Sequence, residues 1–130
     1  MEPAVFILEP QTLFVPELAQ VIALAGGRVV RAATHIDVEE IASLAADYAL
    51  LDLDYTAHGV LDGLAYFRAA APSVRAILIT AEHGPDWLER CRAAGAWAVV
   101  SKDSDREEIA ALLRGAFAGE AFADPRVNAA

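Results

Sequence analysis

Apolar residues in this chain fall into two alternating kinds of segment. Some form short unbroken runs, and others recur every three or four positions. Val5-Phe6-Ile7-Leu8 is a run of the first kind, closed by Glu9-Pro10. It predicts a strand covered on both faces. Residues 12–25 carry Leu13, Leu18, Val21, Ile22 and Ala25 at helical spacing, with Pro16 near the start and Gly26-Gly27 at the end. Both punctuations suit a helix. Arg28 to Ala33 predicts a second strand. Asp37, with Glu40 three residues on, predicts a capping box and a helix reaching about Asp47. Tyr48 to Leu53 predicts the third strand, followed by a polar loop from Asp54 to Asp62. Helical spacing resumes through Leu64, Phe67 and Arg68 and stops before Pro72.

Val74 to Thr80 predicts a fourth strand. Pro85 opens a helix with Trp87, Leu88 and Cys91, closed by Gly95. Ala96 to Ser101 predicts a fifth strand. Ser104 and Glu107 predict a second capping box for a last helix carrying Ile109, Leu112, Leu113, Ala116 and Phe117 and ended by Gly119. Asp124-Pro125 then leads into a short polar tail. Five strand–helix units with short connections imply an α/β domain: a parallel sheet with helices on both faces.

Composition changes this picture little. With 130 residues and 56 % hydrophobic content, the chain suits one domain. It buries roughly two thirds of its unfolded surface and needs no staples. Charge adds more. Ten Lys and Arg face nineteen Asp and Glu, for a net charge of −9. That argues against direct nucleic-acid binding, which rests on cations, and suits a site that attracts a divalent cation. The single cysteine, Cys91, excludes an internal disulfide and is simplest in a reducing, cytoplasmic setting. Glu2-Pro3 stands where a signal peptide would be basic. No apolar run approaches the ~20 residues of a membrane span.

In open α/β sheets, ligands bind beyond the carboxyl ends of the strands. Here those ends carry Glu9, Asp52 and Asp54, Thr80, then Ser101 and Lys102. A strand-end carboxylate among other acids can attack phosphorus if a divalent cation shields the incoming charge. An ammonium and a hydroxyl can then take further phosphoryl oxygens. Asp52, Thr80 and Lys102 meet those needs.

The order Glu9-Pro10, Leu50-Leu51-Asp52, Ile79-Thr80-Ala81 and Ser101-Lys102-Asp103 resembles the receiver domain of bacterial two-component response regulators, over about residues 4–123. Ala118-Gly119-Glu120 before Asp124-Pro125 is similar to receivers that precede a LuxR-type helix-turn-helix. The resemblance implies a doubly wound sheet of flavodoxin-like order 2-1-3-4-5. It implies a receiver domain over residues 1–123, with 124–130 a tail or the start of a linker to a missing output domain. It also implies that Asp52 accepts a phosphoryl group from a histidine kinase or phosphotransfer protein. Thr80 and Lys102 would contact that group. Mg2+ would be held by Glu9, Asp52 and the backbone carbonyl of Asp54. The surface of the fourth helix, fifth strand and fifth helix would then switch, with a homodimer among the partners implied and transcription regulation as the setting. Such a domain is a phosphoacceptor, not a turnover enzyme.

Three departures stand out. Pro10 replaces the second of two adjacent acids. The loop after Asp52 is about three residues longer, with Thr56 in place of a proline and Asp62-Gly63 displaced. Val99 occupies the usual aromatic switch position. They support an alternative reading, a pseudo-receiver that serves as an interaction or dimerisation module without phosphate control. Leu50-Leu51-Asp52-Leu53-Asp54-Tyr55-Thr56 also resembles the first motif of haloacid dehalogenase-type phosphatases. That motif belongs on a first strand, and no later acid pair follows Lys102 at a strand end. His35, His58 and His83 lack metal-ligand spacing and are expected in solvent-facing loops. Trp87 and Trp97 are candidates for a shared exposed patch, and Cys91 for a half-buried helix position.

Overall fold

The computed structural model describes residues 2–54, 56, 59–119 and 124–128. Its strands are β1 (Ala4–Leu8), β2 (Arg28–Ala33), β3 (Tyr48–Leu51), β4 (Arg75–Thr80) and β5 (Ala98–Ser101). A 3-10 turn, Thr12–Phe14, leads into α1 (Val15–Leu24). The other helices are α2 (Val38–Ala42), α3 (Val60–Ala70), α4 (Pro85–Ala93), α5 (Arg106–Phe117) and α6 (Pro125–Asn128). The strands form one parallel sheet in the order β2-β1-β3-β4-β5. This is the doubly wound α/β arrangement expected.

Side-chain alternation explains why the apolar runs are unbroken. Successive strand residues face opposite sides of a sheet. Phe6, Leu8, Ala49, Leu51, Ala76, Leu78 and Val99 pack toward α2, α3 and α4, against Ile41, Leu64, Phe67 and Cys91. Their neighbours Val5, Ile7, Leu50, Ile77, Ile79 and Val100 pack toward α1 and α5, against Leu18, Ile22, Leu113 and Ala116. Both faces are covered, so both must be apolar. β2 differs: it is the exposed edge strand, whereas the other edge strand, β5, is buried beside α4, α5 and α6. Arg28 and Arg31 of β2 are exposed, and charges on an edge discourage pairing with another chain.

Several boundaries differ from expectation. α2 stops at Ala42 rather than near Asp47. The backbone at Asp47 is needed by the sheet, where its N–H donates to the Ala4 carbonyl and its carboxylate accepts from the Ala4 N–H. Asp37 does cap α2, through the N–H groups of Glu39 and Glu40. The reciprocal half of that box is missing, because Glu40 pairs with Arg31 instead. α3 starts at Val60, inside the expected loop. Gly63 lets it approach, since an added Cβ would lie 3.3 Å from a Leu53 methyl.

The start of α5 is also displaced. Its N-cap is Asp105, boxed with Glu108, not Ser104 with Glu107. The Ser104 hydroxyl is engaged elsewhere, donating to the buried carboxylate of Asp124. Asp124 also accepts from the N–H groups of Ser101 and Arg126.

Residues 124–128 are therefore not a free polar tail. The Asp124 N–H donates to the Val99 carbonyl, and the Gly84 N–H donates to the Val127 carbonyl. Val127 is fully buried in the α4 side of the core. α6 packs on α4 and β5. If that docking contributes to folding, Val127→Ala should cost about 1.5–2.5 kcal/mol in urea unfolding, as for other buried aliphatic truncations. A solvated tail would show no change beyond error.

Candidate functional site

Each acid and base of the site is carried by a strand end. β1, β3, β4 and β5 lie side by side, so the residues that follow them share one rim. Glu9 follows β1, Asp52 follows β3, Thr80 ends β4, and Lys102 follows β5. The adjoining backbone is tied into the ladder: the Asp52 N–H donates to the Leu8 carbonyl, and the Lys102 N–H to the Thr80 carbonyl. Sheet register, rather than the side chains themselves, brings these groups together.

Asp52 is 2 % exposed. Its Oδ1 accepts from Lys102 Nζ at 2.9 Å and from the Asp54 N–H at 3.2 Å. Two clefts meet at this carboxylate. One, of about 370 Å³, is bordered by Glu9, Gln11, Phe14, Glu17 and Lys102. The other, of about 630 Å³, is bordered by Pro10, Thr34, His35, Asp62 and Tyr66. Asp52 is thus buried by its neighbours yet borders open space.

Glu9 is also buried, and its carboxylate accepts from the Gln11 N–H at 3.1 Å. Burial pushes its pKa up to about 7, and the nearby Asp52 charge acts in the same direction. The Gln11 bond and the Lys102 charge oppose this. Two carboxylates with so little solvent form an anionic corner that a hydrated cation would relieve. Mg2+ is commonly held through one or two protein carboxylates, with waters completing its shell. Glu9 and Asp52 fit that donor set. Pro10 supplies no third carboxylate, and among the described residues no group of three or more His, Cys, Asp or Glu gathers to hold a metal.

The strand-end pattern places Asp54 among the acids of the rim, and the resemblance gives a role only to its backbone carbonyl; neither specifies the partners of its side chain. Its carboxylate reaches across the rim to the ends of β4 and β5. Oδ1 accepts from the Thr80 hydroxyl at 3.0 Å. Oδ2 accepts from the Ala81 N–H at 2.8 Å and pairs with Lys102 Nζ at 2.9 Å. Lys102 therefore bridges Asp52 and Asp54. Burial works against its charge, but the bonds to both carboxylates outweigh burial and raise its pKa. The sequence offered one signal, a second acid two residues beyond Asp52. It gave no sign of which way that acid would turn.

The other candidates lie elsewhere in the fold. Ser101 ends β5 but does not join the site; its hydroxyl accepts from the Asp103 N–H. Val99 is fully buried against the α4 side of the sheet. Trp87 and Trp97 form no shared patch, because they belong to opposite faces. Trp87 is buried against the α4 side. Trp97 packs on the α5 side, its ring under the Arg75 guanidinium and its N–H donating to the Ala116 carbonyl. Cys91 is fully buried rather than half-buried. His35 and His83 are exposed, and His58 lies outside the described residues. Among the described residues no helix is long and apolar enough to cross a membrane.

No protein-family model matches the sequence, and no curated protein matches it either. Solved structures do match. The isolated receiver domain of RcsB from Salmonella enterica serovar Typhimurium, determined with phosphomimetic BeF3−, superposes with a TM-score of 0.80 at 16 % identity. That match covers 98 % of this chain and 96 % of the other. A LuxR-family two-component response regulator from Aurantimonas sp. SI85-9A1 gives 0.78 at 20 % identity, over 95 % and 90 %. The signal receiver domain of NarL from Mycobacterium tuberculosis gives 0.68 at 26 % identity, over 89 % and 97 %. The chain has the fold of response-regulator receiver domains.

The Glu9 environment has a consequence for stability. Its folded-state pKa, about 7, exceeds the ordinary 4.5. The folded protein therefore holds a proton that the unfolded chain releases, and stability falls as pH rises between those values. The contribution is complete below about 4.5 and gone above about 7. Glu9→Gln should remove this dependence. In metal-free buffer, the Tm of Glu9→Gln minus that of the parent should be larger at pH 8 than at pH 4.5. A difference that is equal at both pH values would contradict the assignment.

Proposed function

We propose that this receiver-fold domain accepts a phosphoryl group on Asp52 and thereby transmits a signal. The observation that carries the reading is the Asp52 carboxylate at the central strand end, with Lys102 Nζ at 2.9 Å and Thr80 on the same rim. The donor would be the phosphohistidine of a kinase or phosphotransfer protein. An Asp52 oxygen would form the new O–P bond as the N–P bond breaks, and the released imidazole would take up a proton. Lys102 would balance charge on the transferred group, and the Thr80 hydroxyl would donate to one of its oxygens. Glu9, Asp52 and the Asp54 backbone carbonyl would hold Mg2+. When bound, that ion would shield the incoming phosphoryl group from the carboxylates.

The output would be a change in the surface of α4, β5 and α5, which could pair two copies of the chain or engage another protein. Docked α6 packs on part of that surface, so any such pairing must accommodate or displace it. The reaction is a single transfer and its hydrolysis, so the domain acts as a signalling element and not as a turnover enzyme.

A second reading is favoured by a specific observation. Pro10 removes one carboxylate from the metal corner, and Asp54 already holds Thr80 and Lys102. A domain so arranged could serve as an interaction module without phosphate. The two readings differ in one measurement. Incubated with phosphoramidate and Mg2+, the parent protein should gain the mass of one phosphoryl group, and Asp52→Asn should gain none. A parent protein that gains no mass would favour the phosphate-independent module.

A further inference from the structure

We infer that the Asp54 carboxylate is an internal stand-in for the phosphoryl group: it occupies the donors that a phosphoryl group on Asp52 would use, and phosphorylation must displace it. The inference rests on the proposed phosphoacceptor role of Asp52. It concerns a side chain to which that role assigns nothing.

A phosphoryl group on Asp52 presents three oxygens to the rim and needs donors there. The rim offers the Thr80 hydroxyl, the Ala81 N–H and the Lys102 ammonium. All three point at one carboxylate: Thr80 at Asp54 Oδ1, and Ala81 and Lys102 at Asp54 Oδ2. Two carboxylate oxygens have about four acceptor sites, enough for all three donors. Lys102 lies 2.9 Å from both Asp52 Oδ1 and Asp54 Oδ2, so the two carboxylates flank one ammonium.

Burial makes this arrangement persistent. Thr80 is fully buried, and its oxygen also accepts from the Glu82 N–H at 3.1 Å. The Asp54 side chain is 13 % exposed and that of Lys102 23 %. Hydrogen bonds to a charged acceptor with limited solvent are stronger than neutral ones. Thr80 is therefore already held at the site by a resident anion, with no phosphate required. An incoming phosphoryl group competes with Asp54 for the same donors and meets its charge.

The experiment uses the 130-residue chain with Asp54→Ala, Asp54→Asn and, as a charge control, Glu82→Gln. Glu82 is an exposed neighbouring acid, so its replacement lowers the charge equally without freeing the donors. With phosphoramidate and Mg2+, Asp54→Ala should gain the phosphoryl mass about tenfold faster than the parent, the factor expected when one charge-assisted contact no longer has to be broken. Asp54→Asn keeps the shape but has one acceptor oxygen, so it should fall between them. It also serves if the alanine variant does not fold. Glu82→Gln should stay within about twofold of the parent. Where the parent gains mass, Asp54 variants no faster than it would overturn the inference, as would a Glu82→Gln variant that matches them.

A second readout needs no phosphorylation. In 1H–15N spectra, the Ala81 amide proton should move upfield in Asp54→Ala, and added acetate should return it toward the parent position. If no protein gains mass, the phosphoacceptor reading of Asp52 fails, and the Ala81 amide alone decides whether Asp54 is the resident anion. An Ala81 amide that is the same in the parent and in Asp54→Ala would refute it.

Discussion

Lys102 stands between Asp52 and Asp54, and the rim of the sheet is arranged around that ammonium. A buried carboxylate is tolerable only when it is paired or hydrogen-bonded. Asp52 meets this condition through Lys102 and the Asp54 N–H, and Asp54 through Lys102, Thr80 and Ala81. Burial raises the pKa of Glu9, and the neighbouring Asp52 carboxylate adds to that rise. One cation thus pairs with two of the rim's acids. It can do so because β5 ends beside β4, which places Lys102 across the rim from β3.

The other end of the sheet shows how the same strands are locked in place. Tyr48 and Trp97 both reach the last turn of α5, Tyr48 through its hydroxyl to the Phe117 carbonyl and Trp97 through its N–H to the Ala116 carbonyl. Arg75 covers the Trp97 ring. Aromatic residues with a polar tip serve well here, because they bury area and still satisfy a helix carbonyl.

The C-terminal segment couples the two halves of this picture. Asp124 is buried among the N–H of Ser101, the hydroxyl of Ser104 and the N–H of Arg126. Ser101 and Ser104 flank Lys102. A contact made by residue 124 therefore stabilises the very loop that presents the site lysine. It also explains why the capping of α5 begins one residue later than the Ser104-Glu107 spacing suggests. Once Ser104 is engaged by Asp124, Asp105 is the next side chain able to accept from the first turn.

What the sequence determined by itself was the alternation of elements, and with it the fold. Unbroken apolar runs such as Val5–Leu8 and Ala76–Ile79 can be satisfied only by cover on both faces, and parallel strands then need helices between them. The same periodicity placed Glu9, Asp52, Thr80 and Lys102 at strand ends, so their common location was legible without coordinates. Tertiary structure alone decided what those residues do to one another. The turn of the Asp54 carboxylate toward Thr80 and Lys102, the diversion of Ser104 to Asp124, and the burial of Val127 all join residues twenty or more positions apart in sequence. Local spacing records which groups a segment carries. It does not record which distant donor will be within 3 Å, because that depends on strand order and on how the loops above the sheet compete for the same few partners.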